Sequence, residues 1–316
     1  MTGVTPETLV LTSEGYREIL SLTGSPFLVW NGGEYTPAVA QKLAEQQKVI
    51  RIELVSGTEI ECAADFEFRI QRDYYVTAVH NQEARYLAPG DRLIKGWYPV
   101  VPGGAEEFPY SYTHGYYSGA EKFRLGDKVL ARSAVYGVRR QSLQLLQLNT
   151  ELDQKRSLKF LDSMPEDYEI PLDFRYSLET KLEWLAGLFD SGLIKRKVGI
   201  RPIWDIYSEN YDFLKRLKLF SHTLGGDARV IKNSDLGRAH YTFRLANTWV
   251  QNLRKMNIPV VNHSFPEINY TRRSIDYPKI AQVIDDYRYS DIYNITQENK
   301  DTVVLNGILV PNNSER

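Results

Sequence analysis

The sequence predicts an α+β protein in which an all-β unit, assembled from both ends of the chain, is interrupted by a middle segment of mixed helices and strands. Three observations predict it. Short, evenly spaced runs of β-branched and aromatic residues fill the stretch from Thr8 to about Ile94. The same style returns after Asp291, and between the two lies a segment with longer helical periodicity and an excess of positive charge.

Within the first stretch, the strands read as Thr8–Thr12, Phe27–Trp30, Val49–Leu54, Glu67–Ile70 and Tyr74–Thr77. Turn signals separate them at Asn31-Gly32-Gly33, Ser56-Gly57 and Pro89-Gly90-Asp91. At the other end, Asp291–Thr296, Val303–Leu305 and Ile308–Val310 read as strands, the last two joined by Asn306-Gly307. Asn-Gly is the strongest short hairpin signal, because a type I′ turn needs positive φ at both central residues. A terminal hairpin has no core of its own, so it must pack on the N-terminal β-unit.

The composition excludes several function classes. Apolar residues make up 42% of the 316 residues, with 21 Tyr and 12 Phe, as in a globular chain. The lone Cys62 rules out an intramolecular disulfide and a cysteine-built zinc or iron–sulfur site. His80, His114, His222, His240 and His263 show no metal-ligand spacing. Neither a signal peptide nor an apolar run long enough to span a membrane is visible, so the expected localisation is cytoplasmic, with no membrane partner. Residues 106–289 hold 28 Lys/Arg against 23 Asp/Glu, while the flanks hold 11 against 17. The middle segment is therefore the one suited to phosphate.

Both ends carry a family resemblance. Gly3-Val4-Thr5-Pro6-Glu7-Thr8-Leu9-Val10-Leu11-Thr12-Ser13-Glu14-Gly15 resembles the opening block of inteins, in particular those inserted in ribonucleotide reductase large subunits. Gly57 to Phe68 is similar to their second block, and Thr296 to Val310 to their closing blocks. The resemblance implies a Hint splicing domain over 1–105 and 288–316. It also implies a nucleophile at the first intein residue, an oxyanion-polarising Thr and His, and a late amide that cyclises.

The matching residues depart from that set. Gly3 has no side chain, Ala63 and Phe66 stand where the Thr and His belong, and Asn294, Asp301, Pro311, Asn312 and Asn313 occupy the late positions. Only Asn312 is of the right type, although a shifted register would place Asn313 last with Ser314 after it. At least five positions differ, and the chain begins at Met1 and stops four residues past Asn312. These points favour a stand-alone, non-splicing descendant over a precursor trapped by deliberate substitution.

In the middle segment, Leu182-Glu183-Trp184-Leu185-Ala186-Gly187-Leu188-Phe189-Asp190-Ser191-Gly192 resembles the LAGLIDADG motif of DOD-type homing endonucleases. A variant of the same motif is seen at Tyr112-Thr113-His114-Gly115-Tyr116-Tyr117-Ser118-Gly119-Ala120-Glu121. The resemblance implies a two-repeat αββαββα endonuclease-like domain over 106–287, with repeats at about 106–180 and 181–287, in which two helices pack side by side through small residues. After the second motif, the pattern reads strand (Val198–Tyr207), helix (Glu209–Phe220), two strands (Asp227–Asn233 and Tyr241–Ala246) and helix (Trp249–Met256).

In that family an acid at the eighth motif position of each helix holds magnesium for phosphodiester hydrolysis. Those positions are Ala120 and Gly192 here, with Glu121 one residue late and Asp190 two early. Glu121 and Asp190 are thus the candidate catalytic and metal-binding pair of a rearranged nuclease. The plain alternatives are an exposed loop acid and a solvent-facing or capping residue at a helix end.

The family reads duplex DNA from the faces of its sheets. Lys195, Arg196, Lys197, Arg201, Arg229, Lys232, Arg238 and Arg244, on or beside the strands of the second repeat, are the DNA-binding candidates. The leading expectation is a monomeric, non-splicing homing-endonuclease-like protein bound to double-stranded DNA. The alternatives are an active magnesium-dependent endonuclease, and a fold reused to bind a protein partner.

Overall fold

The structure, a computed structural model, describes residues 2–71, 79–120, 169–198, 201–233, 240–261, 263–267, 278–297 and 302–312. The chain divides into two compact units. The first comprises Met1–Val101, Ser221–Gly225 and Tyr270–Arg316, and the second Pro102–Phe220 and Gly226–Asn269. The division falls at 101/102 and 269/270, against the expected 105/106 and 287/288. A strand described below spans 287/288, with a register shift between Ile284 and Arg288.

The first unit is almost wholly β. Its strands are β1 (Leu9–Thr12), β2 (Gly15–Glu18), β3 (Phe27–Trp30), β4 (Tyr35–Leu54), β5 (Glu59–Ala63), β6 (Glu67–Ile70) and β7 (His80–Glu83). To these the C-terminal part adds β12 (Ile280–Gln297), β13 (Thr302–Leu305) and β14 (Ile308–Pro311). An eight-stranded sheet has the order β12-β4-β3-β1-β13-β14, with β2 on β1 and β5 on β4, and β6 pairs with β7 separately. Alternating apolar residues from both chain ends, among them Val10, Val29, Ile52, Ile60, Val303 and Leu305, fill one core.

The expected hairpin is present. Asn306 (φ 47°) and Gly307 (φ 78°) link β13 to β14, the pair of positive φ values that a type I′ turn requires. Asn306 also ties distant segments together. Its Oδ1 accepts from the Leu9 amide at 2.7 Å and its Nδ2 donates to the Glu59 carbonyl at 2.8 Å.

Two strands are far longer than the sequence patterns indicate. β4 covers 20 residues and β12 covers 18, where the pattern gives only Val49–Leu54 and Asp291–Thr296. Most of the extra length of β4 is Ala40-Gln41-Lys42-Leu43-Ala44-Glu45-Gln46-Gln47-Lys48, a run of helix formers with no strand signature. Cross-strand pairing with β12 overrides that propensity. The register shifts along the way, and Gln46 (φ 47°) and Asp286 (φ 49°) adopt positive φ. The expected strand at Tyr74–Thr77 lies outside the described residues.

The second unit contains helices α1 (Ser111–Ala120), α2 (Leu178–Gly192), α3 (Tyr211–Thr223) and α4 (Asn247–Lys255). Its strands are β8 (Leu193–Val198), β9 (Arg201–Ser208), β10 (Ala228–Asn233) and β11 (His240–Leu245). From α2 onward the order is αββαββα. The single strand expected at Val198–Tyr207 is instead the hairpin β8–β9, because β8 starts at the first residue after α2, with no loop to mark it. The body of the first repeat, 122–168, lies outside the described residues.

Helix α2 begins at a capping serine. The Ser177 hydroxyl accepts from the Thr180 amide at 3.1 Å and Glu179 sits in the first turn, where an acid complements the helix dipole. The buried face of α2 carries Trp184, Leu185, Leu188 and Phe189. Trp184 meets Phe220 edge-on at 5.6 Å, and Phe189 meets Trp249 at 6.1 Å. No helix among the described residues is long and apolar enough to cross a membrane.

Candidate functional site

In the first unit the structure brings the motif positions Gly3, Ala63 and Phe66 together. Val4 bridges to Cys62 on β5 and to Tyr293 on β12, and the Ala63 amide donates to the Gly3 carbonyl at 2.9 Å. Gly3 is packed to its limit. A Cβ there would overlap the Ile292 side chain and the Tyr293 carbonyl oxygen. A serine or cysteine at this position therefore has no room for its first side-chain atom unless the β12 backbone moves.

Neither Ala63 nor Phe66 offers an acid or a base. Ala63 and Phe66 are buried, and Phe66 packs edge-on against Phe68 at 5.2 Å. The Asn294 Oδ1 accepts from the next amide, Ile295 N, at 2.7 Å. The Asn312 amide is oriented by its partners. It donates to the Ile295 carbonyl and accepts from Gln297 N (3.3 Å) and Gln297 Nε2 (3.1 Å). Pro311 pairs with Thr302 at the end of the hairpin. Asp301 and Asn313 lie outside the described residues. Cys62 is fully buried, and burial pushes its thiol pKa up, which makes it a poor nucleophile.

In the second unit α1 and α2 run parallel and touch through glycines. A Cβ on Gly115 would overlap the Trp184 carbonyl, one on Gly187 the Tyr112 carbonyl, and one on Gly119 the Ser191 hydroxyl. At the C-terminal ends, a Cβ on Gly192 would stand 2.9 Å from the Gly119 oxygen. The small residues thus permit backbone-to-backbone contact along the whole pair.

The ends of the pair are where the motif would place its acids. Gly192 has no side chain, Ala120 closes α1, and Glu121 lies outside the described residues. Asp190 is buried, so of its two plain readings, solvent-facing or capping, the solvent-facing one does not hold. Its Oδ2 accepts from the Tyr112 hydroxyl at 2.7 Å and from the Val261 amide at 2.6 Å. Among the described residues, no group of three or more His, Cys, Asp or Glu is placed to hold a metal ion. The Asp190 carboxylate is thus taken up by Tyr112 and Val261, while its expected metal-binding partner Glu121 is not among the described residues.

The four-stranded antiparallel sheet β10-β11-β9-β8 sorts the candidate cations by register. Directly paired residues share a face, and alternate residues along a strand return to it. Arg229 pairs with Arg244, Arg244 with Asp205, and Arg196 with Ile203, two residues before Asp205. Arg196, Arg229 and Arg244 therefore share one face. Lys195 pairs with Trp204 and Lys232 with Tyr241, which puts both on the opposite face, with the buried Trp204, Phe243 and Val230. Lys195 extends over the Trp204 ring, 5.0 Å from its centroid. The side chains of Lys197 and Arg201, and all of Arg238, lie outside the described residues.

At the centre of the arginine face sits a residue that does not appear among the candidates, Asp205. It is wholly buried, and its carboxylate takes Arg244 Nε on Oδ1 (2.8 Å) and Arg244 Nη2 on Oδ2 (3.1 Å), with Arg196 Nη2 also on Oδ2. The hydrogen bonds to Asp205 hold both guanidinium groups above their ordinary pKa, burial partly opposing. The guanidinium of Arg196 also lies over the Tyr207 ring, 5.6 Å from its centroid. Nearby, Asn233 donates to the Thr242 hydroxyl at 2.7 Å. A lone acid in the alternating run Ile203-Trp204-Asp205-Ile206-Tyr207, between two arginine-bearing strands, is the sequence signal for this cluster.

The solved structures similar to this chain include inteins, at low similarity. The chain aligns with a crystal structure of a mutant Ssp DnaB mini-intein variant at TM-score 0.37 and 9% identity, over 99% of both chains. With the gp41-1 intein the TM-score is 0.25 at 23% identity, over 30% of this chain and 69% of that one. Neither score is high enough to carry a fold assignment. No protein-family model matches. At the level of a particular protein, the chain is 25% identical, over 345 aligned positions, to the ribonucleoside-diphosphate reductase large subunit of Invertebrate iridescent virus 6. The match takes in 99% of this chain and 36% of that subunit, so the chain spans about a third of the relative's length.

Proposed function

We propose that this chain is an intein-derived, non-splicing protein of the ribonucleotide reductase type that binds duplex DNA through a homing-endonuclease-like inserted domain. Support for the lineage comes from the full-length match to part of a ribonucleoside-diphosphate reductase large subunit. The glycine-sided pair α1 and α2, in the position of the two LAGLIDADG motifs, agrees with it.

The observation that carries the DNA-binding reading is the polar face of the second unit's sheet, where two arginines close on one carboxylate and Arg229 lies on the same face. The guanidinium groups of Arg196 and Arg244 against the one carboxylate of Asp205 leave this cluster positive. In the first unit, by contrast, Arg51 is met by Glu53, Glu59 and Glu61, and Arg288 by Glu7 and Glu61.

Gel-shift titration of a duplex of about 30 bp, between about 50 and 200 mM salt, tests the reading, with an expected slope of roughly −2 or steeper in log K against log salt. Absence of a complex at the lowest salt, or a flat slope, would sink it. Neither splicing nor cleavage is expected, since Gly3 has no nucleophile and Gly192 no metal ligand.

A further inference from the structure

We propose that Asp205 is a positioning residue that fixes Arg244, with Arg196 beside it, as a guanine-reading fork on the arginine face, an inference that rests on the DNA-binding reading. Arginine has two edges able to form paired hydrogen bonds, one through Nε and one Nη, the other through both Nη atoms. Asp205 takes the first edge of Arg244 with both its oxygens. The second edge is left to point away from the carboxylate. Two parallel donors on that edge match guanine O6 and N7 in the major groove, the commonest base-specific contact arginine makes.

The geometry favours base reading over phosphate tracking. The carboxylate has no exposure, whereas the side chains of Arg196 and Arg244 remain 49% and 35% exposed. The anchor is therefore inside the sheet surface and the guanidinium groups outside it. A long, freely rotating cation follows phosphates without discrimination. One held at two points presents its remaining donors in a fixed direction, so it gains specificity. Asp205 also cancels one of the charges with which the face attracts any duplex.

This arrangement gives Asp205→Asn an effect opposite in sign to simple damage. The substitution keeps the shape, removes a buried negative charge, and frees both arginines. Affinity for a fixed duplex of arbitrary sequence is expected to rise, with a salt slope steeper by about 0.9. At the same time, selection from a duplex pool randomised over about 24 bp is expected to yield a guanine preference of about tenfold with the wild-type chain and none with the variant.

Arg244→Lys provides the second arm, because it keeps the charge and an ion pair but lacks the fork. It is expected to lose the same guanine preference with the wild-type salt slope. If Asp205→Asn fails to fold by circular dichroism, this variant decides. Unchanged guanine preference in either folded variant, or uniformly weakened binding in Asp205→Asn, overturns the positioning role while leaving DNA binding intact. If the wild-type chain binds neither the fixed duplex nor the pool, the DNA-binding reading itself falls, and this inference with it.

Discussion

Lys181 shows how much a single buried charge decides. It lies in the first turn of α2, fully buried, with its Nζ 3.2 Å from where a Cβ on Gly103 would stand. Burial lowers its pKa, and Asp173 only partly restores it. Below the folded-state pKa both folded and unfolded chains hold the proton, so stability does not change with pH there. Between that value and the ordinary lysine pKa the unfolded chain binds more protons, so stability rises with pH and then levels off. Lys181→Met, of similar volume, should remove that rise and stabilise the protein at neutral pH by about 1–2 kcal/mol. Urea unfolding at neutral and alkaline pH checks this, and equal pH profiles for the two proteins would clear Lys181. Asp205 was harder to foresee, because its role depends on two arginines from other strands. In the sequence it is one acid among apolar neighbours.

Among the elements, the α1–α2 pair runs against helix propensity. On propensity alone, glycine-to-alanine changes within a helix stabilise by about 1 kcal/mol. Here the added methyl of Gly187→Ala would enter the space of the Tyr112 carbonyl, so a loss of about 3 kcal/mol or more is expected from overpacking against backbone. Gly33→Ala, whose Cβ would meet only the Asn31 side chain at 3.7 Å, is the control and should stay within about 0.5 kcal/mol. Similar melting temperatures for the two variants would show that the helices are not held by close approach. This pairing was legible, since small residues at fixed spacing have a direct steric meaning. The middle of β4 was not, because Gln, Lys, Glu and Ala carry no strand signal and only the partner β12 makes them extended. β8 was hidden for a related reason, as Ile194-Lys195-Arg196-Lys197 continues from the helix without a turn residue.

Across the whole molecule, the two ends of the chain are one structural element. β1 pairs with β13, Val10 opposite Leu305, and Asn306 joins the Leu9 amide to the Glu59 carbonyl. Asn306→Ala deletes both hydrogen bonds and puts an alanine at positive φ, so a loss of about 2–3 kcal/mol is expected. Asn306→Gly keeps the turn and should lose less. Equal unfolding midpoints for Asn306→Ala and the unaltered chain would show that the junction does not depend on this side chain. The union of the ends was legible because the Asn-Gly hairpin needs a partner. The partner strand itself follows from register, which a sequence does not display.

That junction sets a clock on the ribosome. The last residue of β1, Thr12, precedes the first of β13, Thr302, by 290 positions, and at 5–20 residues per second roughly 15–60 s pass between their syntheses. Throughout that interval the nascent sheet has β2 and β3 beside β1 but no β13 or β14, so the stretch of β1 around Val10 that receives β13 stays open to other chains. The second unit, completed by Asn269, has time to fold before the first can close. Expression conditions that slow elongation lengthen the exposure of that open edge, and yield should fall with them.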